Sequence, residues 1–96
     1  MDKDQLILIL RRFKNQNHRK YGITNIGIFG SSVRYAMTEQ SDVDIVVELK
    51  KPDMFNLIGI KQDLEEQLQR SIDIIRYREK MNPFLKRKIE KEALYV

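Results

Sequence analysis

Three aspartates lie at or near the start of hydrophobic segments of the chain. Asp42 and Asp44 begin the segment DVDIVVEL, and Asp73 lies within SIDIIRY. Residues two apart on a strand share a face, so Asp42 and Asp44 are expected to be near neighbours. Their mutual repulsion would be relieved by a divalent cation, and Mg²⁺ commonly binds through one or two carboxylates together with substrate phosphates. The alternative is a solvated strand end that binds no metal.

Asp73 supplies a third carboxylate. In a small sheet the strand that contains Asp73 is expected beside the strand of Asp42 and Asp44. The flanking Ile72 and Ile74 weaken the alternative that Asp73 is an ordinary exposed strand residue. We therefore predict a triad of aspartates that is able to hold two metal ions.

A Gly-Ser turn precedes these aspartates and suits the binding of phosphate. Gly30 ends the strand IGIF, and Ser31 is expected to begin a short helix over residues 31–37. Glycine allows close approach of the backbone, and the first N–H groups of a helix are unpaired donors. An ordinary turn with a serine cap is the alternative. Arg34, one helical turn onward, either neutralises charge or packs and pairs nearby.

The elements that must position these residues follow from periodicity and capping signals. The pattern is helix, strand, short helix, strand, helix, strand, helix, which is an α/β (α+β) class. Hydrophobic spacing predicts a first helix over residues 3–19, and YGITN is predicted to be a connecting loop. The second long helix follows Pro52-Asp53, and a last helix begins at Asn82-Pro83. The predicted buried stripe of the second long helix is Met54, Leu57, Ile58, Leu64 and Leu68.

Length and composition limit the possible function. The chain has 96 residues, a net charge of +4 and no cysteine, so we expect one domain over residues 1–96, no thiolate chemistry and a cytoplasmic location. The size leaves no room for a second substrate lobe. Basic residues in RRFKNQNHRK and from Arg70 to Lys91 favour acidic or phosphorylated partners. With few interleaved aromatic residues, we interpret them as solvated helix faces and consider direct nucleic-acid binding unlikely. His18 is expected to be exposed.

The segment GSSVRYAMTEQSDVDIVVEL, followed by SIDII, resembles the signature of the nucleotidyltransferase superfamily. That signature is Gly-Ser, a spacer, Ser-Asp-x-Asp on a strand, and a third Asp on a later strand. The length is similar to that of the minimal nucleotidyltransferase (MNT) proteins, which act as antitoxins beside HEPN-domain ribonuclease toxins. Val33 and Tyr35 stand where the family has Ala and Gly.

The resemblance implies a small mixed β-sheet flanked by helices and transfer of AMP from ATP to a hydroxyl, expected to be a tyrosine of a HEPN toxin. It implies Mg²⁺, as two ions, held by the catalytic residues Asp42, Asp44 and Asp73, with Asp73 as candidate general base. Gly30, Ser31, Arg34 and Ser41 would bind the nucleotide; Arg76 and Arg78 are weaker phosphate candidates. A non-catalytic antitoxin that masks the toxin, and a nucleic-acid-binding module, are the alternatives.

Overall fold

The computed structural model describes residues 2–34 and 42–96. Within them the helices are α1 (Lys3–Tyr21), α2 (Ser31–Arg34), α3 (Met54–Leu68) and α4 (Pro83–Glu92). The strands are β1 (Ile23–Ile28), β2 (Val43–Leu49), β3 (Ile72–Arg76) and β4 (Leu94–Tyr95). No helix among these residues is both long and apolar enough to cross a membrane.

The described strands form one mixed sheet in the order β3-β2-β1-β4. β1 is antiparallel to both of its neighbours, whereas β2 and β3 are parallel. The predicted fold class is therefore confirmed, as is the prediction that the third strand lies beside the second. β3 and β4 are the two edges of this sheet.

One face of the sheet forms the larger core with α1 and α3. Alternate residues of β2 (Val43, Ile45, Val47 and Leu49) are buried on this face. The helices contribute the buried residues Leu6, Leu10, Phe13, Ile60, Leu64 and Leu68. This packing fixes which side chains of β2 face the larger core, so the side chain of Asp44 must point to the opposite face.

The opposite face is covered by α4 along only part of its length. Ile89 of α4 packs there with Val46 and Phe29, all three buried. Asn82 caps α4 by accepting hydrogen bonds from the backbone N–H groups of Phe84 and Leu85 at 2.9 and 3.2 Å, and the predicted helix start is confirmed. Asp44 lies two residues before Val46, near the start of β2.

Several predicted boundaries were wrong. α1 is longer than predicted and ends at Tyr21, and Gly22 terminates it with φ 68°. β1 begins at Ile23 instead of Ile26, within the predicted loop YGITN, because this segment pairs with the end of β2 through a register shift between Ile23 and Asn25. The strand β4 was not predicted, since two residues carry no periodicity.

The buried stripe predicted for α3 was wrong in its first turns. Leu64 and Leu68 are buried and Leu57 is half-buried, but Met54 is 68% and Ile58 44% exposed. Helical spacing identified an apolar face, whereas only the later part of that face is fully buried in the core. The apolar start of α3 is consequently exposed at the surface.

Candidate active site

Asp44 and Asp73 are direct partners in the register of the parallel strands β2 and β3. Residues opposite each other in neighbouring strands share a face, and the strands are roughly 4.7–4.9 Å apart. Asp44 is half-buried and Asp73 is exposed. Asp42 precedes β2 by one residue, at the same end of the sheet, and is also exposed. The three predicted aspartates therefore lie at one end of two neighbouring strands.

Gly30 lies against the Asp44 carboxylate. The Phe29 N–H donates to the backbone C=O of Asp44 at 3.1 Å, which holds the end of β1 beside β2. Gly30 follows with φ 62°, in the left-handed region. A Cβ atom at position 30 would lie 2.5 Å from Asp44 Oδ2, closer than such atoms approach. A larger residue at position 30 would therefore be strained by the backbone angle and would have to displace the candidate catalytic carboxylate.

Ser32 is a site residue that the sequence analysis missed. It is 1% exposed, and its Oγ accepts a hydrogen bond from the backbone N–H of Asp44 at 2.9 Å. This bond ties α2 to β2 at the candidate catalytic residue. The sequence signal was the double serine after Gly30, but the pattern alone does not tell which serine turns inward.

The remaining nucleotide-binding predictions fall largely outside the described residues. Ser41 and Tyr35 belong to residues 35–41, which the described ranges do not include. Ser31 and Arg34 form the ends of α2, but their side chains are likewise not described. For these positions the predicted roles stay predictions.

The three predicted metal ligands, Asp42, Asp44 and Asp73, do not lie close enough together in this structure to form a metal site. Among residues 2–34 and 42–96, no group of three or more Asp, Glu, His or Cys side chains is close enough to hold a metal ion. The physical reason lies in exposure and repulsion: Asp42 and Asp73 have room to turn, and like charges favour separation. The donor set still suits Mg²⁺, because Asp44 and Asp73 are paired in register and all three candidate ligands are carboxylate oxygens.

The other charged candidates are placed away from the aspartates. Arg76 lies three residues after Asp73, so about 10 Å further along β3, and alternation places it on the opposite face. Arg76 and Arg78 line a groove at the far end of β3. His18 is exposed, as predicted, with Nδ1 3.1 Å from the Lys14 carbonyl oxygen.

A family model described as a nucleotidyltransferase domain matches residues 10–96. This match covers α1 from Leu10 onward, the Gly30 turn and all three aspartates. The chain belongs to the nucleotidyltransferase domain family. The predicted family and enzyme class are thereby confirmed.

Relatives by sequence cover nearly the full length of this chain. A Methanocaldococcus jannaschii protein with the provisional name protein adenylyltransferase MJ0126 is 35% identical over 89 residues, which are 92% of this chain and 91% of the relative. Protein adenylyltransferase MntA of Thermococcus cleftensis is 29% identical over 94 residues, with 97% and 94% coverage. Relatives of this nucleotidyltransferase are thus named for transfer of an adenylyl group to protein.

Solved structures share the fold. A provisionally named minimal nucleotidyltransferase superposes with a TM-score of 0.79 and 26% identity, covering 98% of this chain and 95% of its own. A second structure is the complex of a tri-AMPylated Shewanella oneidensis HEPN toxin with an MNT antitoxin. One of its chains superposes with a TM-score of 0.58 and 18% identity, and the match covers 88% of the present chain and 69% of that chain. At that identity the second likeness concerns the fold alone.

Proposed function

We propose that this nucleotidyltransferase transfers AMP from ATP to a hydroxyl group, expected to be a tyrosine, of a HEPN-type toxin and so acts in the cytoplasm as its antitoxin. The observation that carries the proposal is the register pairing of Asp44 with Asp73 beside Gly30. It is supported by relatives named protein adenylyltransferase and by the neighbour that contains a tri-AMPylated HEPN toxin.

The nucleotide is assigned to the end of the sheet where β1 ends and β2 and β3 begin. Gly30 and the backbone at Ser31 are proposed to lie against the β- and γ-phosphates, with Ser31, Ser41 and Arg34 as further contacts. Asp42 and Asp44 would hold one Mg²⁺, and Asp73 would complete the site of a second. When bound, these ions would neutralise phosphate charge and lower the pKa of the acceptor hydroxyl.

At the α-phosphorus of ATP the reaction forms one P–O bond and breaks another. The acceptor oxygen attacks the α-phosphorus of ATP, the bond from that phosphorus to the bridging oxygen breaks, and pyrophosphate leaves. Asp73, the exposed carboxylate of the pair, is assigned to take the acceptor's proton. Its exposure gives a large acceptor access that the half-buried Asp44 lacks.

The alternative function is that of an antitoxin that neutralises the toxin by binding and masking it, without chemistry. It is compatible with the likeness of the fold to a chain from a toxin–antitoxin complex, because a complex can form without chemistry. Both functions require contact with the partner, but only the enzyme requires ATP and the aspartates.

The experiment incubates the protein with isotope-labelled ATP, Mg²⁺ and the HEPN-type protein encoded in the same genome, and measures intact masses. We expect the partner to gain mass in steps of one AMP unit. Asp44→Asn should abolish the gain, and Asp4→Asn, a change at an exposed carboxylate of α1, should not. An unmodified partner with the wild-type protein would reject the adenylyltransferase function.

A further inference from the structure

The outer edge of β3 has backbone groups that no other described strand covers. β3 is the last strand of the described sheet. The C=O of Ser71 accepts from Val43, and the N–H of Tyr77 donates to Val47, so residues 71, 73, 75 and 77 face β2. Backbone groups alternate along a strand, so those of Ile74 and Arg76 face outward. The N–H of Ile72, on the same side, is already used by Glu65.

Beyond this edge lies an open groove of about 500 Å³ between the beginnings of α3 and α4. We call it the β3 groove. Its walls are mostly apolar, and it is lined by Met54, Leu57, Ile74, Ile75, Met81 and Leu85. Met54 is 68% exposed, and Phe55 and Phe84, which adjoin groove residues in sequence, are 85% and 77% exposed. Aromatic side chains with this exposure are typical of a protein-binding surface.

The rim of the β3 groove is positively charged. Arg76 and Arg78 line it, and within the described part of the chain neither forms an ion pair. The nearby Glu79 is instead 3.5 Å from Lys86. The charge therefore favours a partner segment that carries a carboxylate beside its apolar side chains.

The edge also leads to the candidate active site, because Asp73 lies on the same strand, about 10 Å before Arg76. An extended segment that pairs with an open strand receives backbone hydrogen bonds, and its alternate side chains enter pockets. We propose that the outer edge of β3 and the β3 groove bind an extended segment of the acceptor protein. Its apolar and acidic residues occupy the groove and its hydroxyl side chain reaches Asp73.

This proposal rests on the proposed function for the identity of the acceptor, and the two can fail separately. Met54→Lys places a charge in the groove at an exposed position. Leu8→Lys is the matched control, since Leu8 is 54% exposed on α1, which contributes no residue to the groove. With the same HEPN-type protein as probe, Met54→Lys and Arg78→Glu should each weaken binding about tenfold or more. Leu8→Lys should match the wild type, and all variants should bind Mg²⁺-ATP equally.

Hydrogen exchange followed by NMR tests the edge itself. In the free protein the amides of Ile75 and Tyr77 should be protected, and those of Ile74 and Arg76 should exchange fast. In the complex Ile74 and Arg76 should gain protection, while Ile75 serves as an internal control. The proposal would be overturned if the HEPN-type protein does not bind or if Met54→Lys binds it normally. It would also be overturned if Ile74 and Arg76 gain no protection in the complex. Groove-dependent binding without AMP transfer would instead reject the proposed function and leave the docking surface in place.

Discussion

Gly30 is the residue at which backbone geometry and the candidate chemistry are most closely joined. Its φ of 62° lies in the left-handed region, as does the φ of 68° at Gly22. Of these two glycines, however, Gly30 alone is in contact with a candidate active-site carboxylate: the nearest atom to a Cβ at Gly22 would be Lys50 Cβ, at 3.9 Å. Substitutions at the two glycines therefore separate the effect of backbone strain from the effect of displacing Asp44.

Gly30→Ala should abolish AMP transfer, because the added methyl group must displace the Asp44 carboxylate. Gly22→Ala should share the backbone cost, about 1–2 kcal/mol of the free energy of unfolding, and keep its activity. Urea unfolding and the rate of transfer, measured on both variants, check this. Activity of Gly30→Ala at the level of Gly22→Ala would contradict the placement of Asp44 in the site.

Ser32 is expected to act on the candidate site through Asp44, because its Oγ accepts a hydrogen bond from the Asp44 N–H. Ser32→Ala leaves the half-buried N–H of Asp44 without the acceptor it has now, so we expect a loss of about 1–3 kcal/mol in the free energy of unfolding. The expected kinetic effect is a lower kcat, rescued by Ser32→Thr if the methyl group is accommodated. Ser71→Ala, at an exposed serine, is the control. Wild-type stability of Ser32→Ala would show that this hydrogen bond contributes nothing.

At the scale of elements, the sequence predicted strands and helices with strong periodicity and missed those defined by pairing. β2 has buried apolar residues at alternate positions from Val43 to Leu49, and it lies within the hydrophobic segment DVDIVVEL that the sequence singled out. The start of β1 contains Thr24 and Asn25, which are typical of loops, yet it is held by β2, and the Thr24 hydroxyl donates to the Glu48 carbonyl at 2.9 Å. Such partners lie far along the chain, so a local pattern does not reveal them.

The candidate site shows the same division between features that local spacing predicts and features that depend on tertiary contacts. Spacing predicted that Asp42 and Asp44 share one face, and the predicted neighbouring strand does bring Asp73 beside Asp44. The contact of Gly30 with Asp44 and the inward turn of Ser32 depend on tertiary distances, which the sequence does not contain. The exposed start of α3 was missed for the same reason, because Met54 and Ile58 look like core residues by type and spacing alone.

The helices α1 and α3 are connected by a hydrogen bond that should make stability depend on pH. The Tyr21 hydroxyl donates to the Asp63 carboxylate. Burial raises the pKa of Tyr21 to about 12, and this hydrogen bond and the charge of Asp63 add to the shift. The folded protein therefore holds the phenol proton more tightly than the unfolded chain, in which tyrosine titrates near its ordinary value of about 10.

The stability that this proton contributes is complete below about pH 10 and is lost as the pH rises through about 12. We expect the urea midpoint of the wild type to fall more between about pH 9 and about pH 11.5 than that of Tyr21→Phe, which has no phenol proton to lose. Tyr77 and Tyr95 are present in both proteins and cancel in the comparison. Parallel pH profiles would contradict the raised pKa.

At the scale of the whole molecule, the sheet separates the two tasks of the proposed enzyme. The nucleotide is assigned to the end where β1 finishes and β2 and β3 begin, and the acceptor is assigned to the free edge of β3. Asp73 belongs to both regions, since it pairs with Asp44 in register and lies on the edge strand.

The central claim, that neutralisation is chemical and depends on Asp73, is tested most directly by Asp73→Asn. This variant should still bind Mg²⁺-ATP through Asp42 and Asp44, as calorimetry would show. Its rate of AMP transfer to the HEPN-type protein, measured by intact mass, should fall by about 10²- to 10⁴-fold or more. Cells that express the toxin with this variant should lose protection. Cells that survive while their toxin remains unmodified would contradict the account and establish masking as the mechanism.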